Sequence, residues 1–140
     1  MAKLNPYLNF DKNCREAMTY YKECFGGDLM LQTVSEMPEM AAQMPPDMKD
    51  QILHSYLMAE GITIMASDLN REKPQEGNTI QLCLNCDNDK ELEKLFAALS
   101  KGGKVVEPLN DMPWGGRYGS VTDKFGKTWV LNFQKENAMK

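Results

Sequence analysis

The sequence predicts an α+β fold of paired βαβββ modules, each a four-stranded sheet with one helix on its outer face, joined as a curved mixed sheet with a central cleft. Two observations lead there. The hydrophobic period changes in the order strand, helix, strand, strand, strand, and that order returns after a polar stretch at 69–78. Glycine pairs follow both helical segments, Gly26-Gly27 and Gly102-Gly103, and a single glycine, Gly61 or Gly126, precedes each closing strand. Residue identity between the halves is negligible, so the repeat rests on the order and length of elements.

Module one covers 1–68 of a single domain, 1–140. Residues 4–10 (LNPYLNF) alternate as a strand does. Asn13 then precedes CREAMTYYKECF, where Ala17, Tyr20, Tyr21 and Cys24 recur at helical spacing and Gly26-Gly27 supply a left-handed stop. The next strand spans 29–35. Residues 36–49 carry Met37, Met40, Met44 and Met48 among three prolines and predict a partly helical insert. Such an insert suits a flap over a cleft, a dimer seam or core packing. Two β-rich runs, 52–59 and 62–67, flank Glu60-Gly61, a hairpin signal.

The linker is 69–78, polar and broken by Pro74 and Gly77. Module two, 79–134, opens with a strand at 79–86 and continues with a helix at 89–101 (DKELEKLFAALSK), amphipathic through Leu92, Leu95, Phe96 and Leu99. A strand at 104–109 leads into a glycine-rich loop at 110–119 (NDMPWGGRYG). Strands at 120–123 and 128–133 then flank Lys124-Phe125-Gly126.

A chain of 140 residues buries roughly two-thirds of its unfolded surface and needs no covalent staples. The thiols of Cys14, Cys24, Cys83 and Cys86 are expected to be reduced: Cys83 and Cys86 have redox-motif spacing but lie along a strand, away from any helix N-terminus that would activate them. Sixteen basic against twenty acidic residues leave a net charge of -4 with no basic face, which excludes the electrostatic footprint of nucleic-acid binding. With no run of eighteen apolar residues and no apolar leader, neither membrane insertion nor export is expected, and the cytoplasm is the expected location.

The segments LNPYLNF, FGG after the first helix, ILHSYL, IMASD and WGGRYGSVTDKFGKTWVLNF resemble the PhnB-like family of the vicinal oxygen chelate superfamily. That superfamily includes glyoxalases, bleomycin- and fosfomycin-resistance proteins and extradiol dioxygenases. The resemblance spans nearly the whole chain, is most specific over 114–129, and implies a homodimer. Some members of the family bear a demethylubiquinone methyltransferase label. A methyltransferase of the common type needs a glycine-rich turn after its first strand, and here Phe10 is followed by DKNCREA.

In metal-dependent relatives, the resemblance implies ligands on the first and last strand of each module, which are histidines and carboxylates suited to divalent ions. Counting from the helices and from Gly61 and Gly126 puts these positions at Pro6, Gln81, Met65 and Val130, and neither they nor their neighbours are histidine or carboxylate. No metal site and no cofactor are therefore expected. The candidate cleft residues are His54, Met65, Ser67, Gln81, Trp114, Arg117, Tyr118, Val130 and Asn132. His54, the single histidine, fits a proton acceptor or donor to a ligand, or else a half-buried strand residue bonded to a neighbour. Trp114, Arg117 and Tyr118 fit a clamp for a planar or anionic ligand, or a lock between modules or subunits. Ser67 and Asn132 lie two residues beyond Met65 and Val130 and share their faces.

The expected function is a homodimer that binds an unidentified small molecule without the usual metal, with catalysis left open. The alternatives are a metal-dependent lyase, isomerase or thiol transferase with ligands elsewhere, and a non-catalytic interaction module.

Overall fold

The computed structural model describes residues 1–134. The chain divides into two compact units, Met1–Gln75 and a second that begins at Glu76.

Unit 1 contains β1 (Tyr7–Asn9), α1 (Cys14–Phe25), β2 (Asp28–Thr33), α2 (Pro38–Ala41), β3 (Ile52–Ala59) and β4 (Ile62–Ser67), with 3-10 turns at Val34–Glu36 and Pro46–Met48. The Met-rich insert is thus short helical pieces, as proline at N1 of α2 and of the second 3-10 turn favours. Strand order is β1-β4-β3-β2. β1 runs parallel to β4, with Tyr7 beside Met65 and Asn9 beside Ser67. The remaining pairs are antiparallel, and Tyr56 lies between Met30 and Met65. One sheet face takes α1: Leu8, Leu57, Ile64 and Ala66 are buried, as are Ala17, Met18 and Tyr21 of the helix. The alternate residues of each strand occupy the opposite, helix-free face.

Asn13 gives α1 no side-chain cap. The buried Asp68, just past β4, supplies it instead: Oδ1 accepts the Cys14 N–H and Oδ2 accepts the Ile52 N–H, each at 2.9 Å. One carboxylate thereby ties the helix start to β3 and satisfies two amides that burial would otherwise leave unpaired. Beside it the Cys14 thiol meets Ser55 Oγ at 3.6 Å. Burial pushes that thiol up to about 12, so it packs as a neutral filler. After α1, Gly26 and Gly27 turn the chain at φ 75 and 86. A Cβ on Gly27 would sit 2.7 Å from Ala59 Cα and overlap the Met58 carbonyl oxygen.

Unit 2 contains β5 (Leu82–Cys86), α3 (Asp89–Ser100), β6 (Lys104–Asp111), β7 (Gly116–Thr122) and β8 (Thr128–Gln134), in the order β5-β8-β7-β6. Again the first strand is parallel to the last, and the rest are antiparallel. Its core joins Leu92 and Leu99 of α3 to Val121, Trp129 and Leu131 of the sheet. Here the helix is capped locally: Asn88 Oδ1 accepts the Glu91 N–H at 2.8 Å, and Glu91 Oε1 accepts the Asp87 N–H at 3.0 Å. The buried carboxylate of this unit, Asp123, closes the β7–β8 turn by accepting from Phe125 N, Lys127 N and Trp129 Nε1.

The expected α+β class and the two mixed βαβββ sheets are present. Two local expectations need correction. The opening strands are shorter than 4–10 and 79–86, beginning at Tyr7 and Leu82. Pro6 has no N–H to give, and only its carbonyl joins the sheet, accepting the Met65 N–H at 3.0 Å. The 110–119 segment is a hairpin rather than a loop: β6 runs to Asp111, β7 starts at Gly116, and Met112 N bonds Gly116 O at 2.7 Å. Its glycines serve the strand packing as well as the turn, since a Cβ on Gly119 would lie 2.7 Å from the Phe96 ring.

Candidate functional site

The helix-free face of unit 1 is aromatic and thioether-rich. The parallel and antiparallel registers place Tyr7, Met65, Tyr56 and Met30 in one row across all four strands. His54 and Gln32 are partners in the adjoining row, and Met58 and Asp28 in the one beyond Tyr56. His54 sits against both tyrosines: its ring centroid is 6.3 Å from that of Tyr7 with planes 28° apart, and 5.8 Å from that of Tyr56 at 57°. Tyr7 is 48% exposed and Met58 53%, so this face offers accessible rings and sulfur rather than a closed core.

The corresponding face of unit 2 is built from amides and hydroxyls. Asn85, Asn132, Tyr118 and Asn110 form one row, in which Asn132 Nδ2 donates to Asn85 Oδ1 at 3.1 Å. Cys83, Val130, Ser120 and Glu107 form the next. The Cys83 thiol is exposed and lies 3.8 Å from Asn85 Oδ1. Cys86, three residues on, is buried on the other side of the strand, and burial raises its thiol to about 11. The strand geometry holds Cys83 and Cys86 apart rather than pairing them.

The sequence-derived candidates fall in several places. His54 and Met65 share the aromatic face of unit 1. Ser67 belongs to the same strand, but its hydroxyl is buried and engaged, donating to Leu53 O at 2.8 Å and accepting the Leu69 N–H at 2.9 Å. Tyr118, Val130 and Asn132 share the amide face of unit 2. Gln81 lies outside β5 and is exposed; the β5 residue paired with Val130 is Cys83. Trp114 is in the hairpin turn, 54% exposed, with its Nε1 close to where a Gly116 side chain would be.

Arg117 and Tyr118 do not form a clamp, because consecutive strand residues point to opposite faces. Arg117 turns toward α3, where Nη1 donates to Glu93 Oε1 at 2.8 Å and Asp89 Oδ1 at 3.2 Å, and Nε faces Asp111 at 3.5 Å. Hydrogen bonds to Glu93 and then Asp89 raise its pKa further above the ordinary guanidinium value. These groups border a cavity of about 460 Å³, but three carboxylates already surround the guanidinium and outweigh its charge. Tyr7, Tyr56, Cys83 and Asn85 escaped the sequence reading as site residues. The parity of β3 around His54 would have pointed to Tyr56, whereas Tyr7 and Cys83 emerge only from the parallel register.

A divalent ion of the kind used by metal-dependent relatives does not fit these residues. At the paired first-strand and last-strand positions the donors are a phenol and a thioether, Tyr7 and Met65, and a thiol beside an isopropyl group, Cys83 and Val130. A hard or borderline cation needs several oxygen or imidazole ligands at one point. Among the described residues no group of three or more His, Cys, Asp or Glu side chains is placed to hold one. No helix among the described residues is long and apolar enough to cross a membrane.

Residues 2–132 match the family model described as 3-demethylubiquinone-9 3-methyltransferase. Protein YjdN of Escherichia coli (strain K12) is 30% identical over 141 residues, covering 95% of this chain and 96% of that protein. The crystal structure of protein PA1353 from Pseudomonas aeruginosa superposes with a TM-score of 0.84 at 35% identity, over 97% of this chain and all (100%) of the other. A putative 3-demethylubiquinone-9 3-methyltransferase, PhnB protein, from Bacillus cereus gives 0.71 at 21% identity, over 94% and 99% of the two chains. A glyoxalase/bleomycin resistance protein from Albidiferax ferrireducens T118 gives 0.66 at 12% identity over 94% and 97%, a likeness of fold.

Proposed function

Because the chain belongs to the PhnB-like family, the one described as 3-demethylubiquinone-9 3-methyltransferase, and has a glyoxalase/bleomycin-resistance fold, we propose that it is a homodimeric protein that binds a small organic molecule directly on side chains, without a divalent ion. The observation that carries this proposal is the helix-free face of unit 1, where Tyr7, His54, Tyr56, Met30 and Met65 lie together, with Tyr7 and Met65 on the first and last strands, where the resemblance to the superfamily would place metal ligands. Rings and thioethers bind organic surface by dispersion and desolvation and need no ion to organise them. His54 adds one polar group, able to donate or accept a hydrogen bond beside both tyrosines.

Methyl transfer, named in the family's description, forms no part of the proposal. The turn after β1 is Phe10-Asp11-Lys12-Asn13 and contains no glycine to admit a nucleotide-like cofactor, and the sheet it leaves is mixed, with four strands. Dimer formation is supported by the family and by exposed apolar side chains, Leu4 and Ile80 ahead of the opening strands and Val105 and Val106 on the edge strand β6.

The test is a thermal-shift screen of chelator-treated protein against acids, amines, aromatics and drug-like compounds. A ligand that binds the native state alone raises Tm with concentration. The proposal expects hits in the absence of divalent ions and their loss in His54→Ala and Tyr56→Leu. Hits that require added Zn²⁺, Mn²⁺ or Ni²⁺ would favour a metal-dependent enzyme instead, and sedimentation as a monomer would remove the dimer.

A further inference from the structure

We infer that the ligand of the unit 1 face is an organic cation with an aromatic or branched apolar body, a quaternary or protonated amine; this rests on the small-molecule reading above and narrows its chemical class.

The first ground is countercharge. On the helix-free face set by the β1–β4 registers there is no lysine or arginine, and the one carboxylate is Asp28, opposite Met58. An anion settling here would lose hydration and find only the His54 imidazole and the tyrosine hydroxyls as donors, with no lysine or arginine charge to offset the loss. A cation loses hydration too but meets the negative faces of tyrosine rings, and an alkylated ammonium surrenders the least water.

The second ground is ring geometry. Tyr7 and His54 are near-parallel at 6.3 Å between centroids, less than the roughly 7 Å that a planar ring between two faces requires at ordinary contact distance. His54 and Tyr56 are closer still and tilted. A ligand therefore lies over the cluster rather than between its rings, with its head against the half-exposed Tyr7. Its body extends along the Tyr56, Met65 and Met30 row, where unbranched thioethers adjust to irregular shapes.

The test uses three probes that share one phenol ring: (4-hydroxyphenyl)trimethylammonium, its neutral isostere 4-tert-butylphenol, and anionic 4-hydroxybenzenesulfonate. Each is titrated calorimetrically into the chelator-treated full chain. The cation is expected to bind about five- to tenfold tighter than the neutral isostere, the size of a cation–π preference. The sulfonate should bind more weakly than either. Tyr7→Leu, at an exposed position with unchanged Tm as the control for folding, should erase the preference of cation over isostere. Asp28→Asn should reduce it in part. An isostere or sulfonate that binds as tightly as the cation overturns the cationic class while leaving small-molecule binding intact. Silence from all three beside hits of other chemistry in the broad screen does the same, and silence in both experiments overturns the parent reading as well.

Discussion

The two units share one topology and almost nothing else. Each runs strand, helix, strand, strand, strand, pairs its first strand parallel to its last, and places a glycine pair after its helix. Yet unit 1 caps its helix with a distant carboxylate, Asp68, while unit 2 caps with its own Asn88 and spends its buried carboxylate, Asp123, on a turn. The helix-free faces diverge further, aromatic and thioether in one, amide and hydroxyl in the other. Steric demands at the chain reversals are common to both units. The faces are free to differ because the fold asks nothing of them, and recognition is therefore sought there.

The largest expected effects come from the two carboxylates. Asp68→Ala strands two amides, and Asp123→Ala three donors, so each should lower unfolding free energy by about 3–4 kcal/mol, against about 1 kcal/mol for Asn88→Ala. Urea titrations of the three variants decide this; equal losses for Asp68→Ala and Asn88→Ala would reduce the long-range tie to an ordinary cap.

Next come the second glycines. Gly27 and Gly103 each face the carbonyl of a strand end, Met58 and Thr122, where a Cβ would overlap. Alanine at either should cost about 2–3 kcal/mol from forced displacement. Gly26 has open space around it but sits at φ 75 and ψ -158, a backbone region nearly confined to glycine, so alanine there should also cost about 2–3 kcal/mol, from strain rather than overlap. A cheap Gly27→Ala beside a costly Gly103→Ala would break the equivalence of the two reversals.

Alkaline pH sharpens the contrast between cores. The Cys14 thiol goes from an ordinary value of 9.0 to about 12 in the fold, so the native state keeps a proton that the unfolded chain gives up. Its stabilising contribution is therefore complete below pH 9 and is lost as pH rises toward 12. The slope is at most about 1.4 kcal/mol per pH unit. Cys14→Ala should flatten the decline in urea midpoint between pH 9 and 11, and an unchanged slope would mean the thiol ionises freely.

The smallest effect belongs to Arg117. Its partners Asp89, Glu93 and Asp111 are half or more exposed, so Arg117→Ala should cost less than about 1 kcal/mol. Ligand binding should persist in that variant, since Arg117 lies on the helix side of its sheet; loss of binding with an unchanged Tm would return it to the site.

The sequence made the helices and the β3–β4 hairpin legible because glycine stops and hydrophobic period act locally. Residue 14 through Phe25 and Asp89 through Ser100 emerge close to where periodicity puts them. Strand ends were harder. Pro6 and Gln81, reached by counting, miss the sheet positions held by Tyr7 and Cys83, because parallel register depends on tertiary pairing: the first miss is one residue and exchanges faces, and the second is two residues and falls before the strand begins. The 110–119 glycines resembled a loop because Gly119 makes room for Phe96, a partner that sequence order does not reveal.

The central claim is that the Tyr7–His54–Tyr56 face binds an organic molecule with no metal intermediary. Methionine-methyl NMR addresses it most directly, since Met30, Met58 and Met65 lie on that face while Met18 is in the core and Met112 is in the unit 2 hairpin. The account predicts that a screening hit added to chelated protein moves the methyls of Met30, Met58 and Met65 and leaves Met112 in place, with divalent ions changing nothing. Shifts confined to Met112, or shifts of the face methyls that appear only once a divalent ion is added, would contradict it.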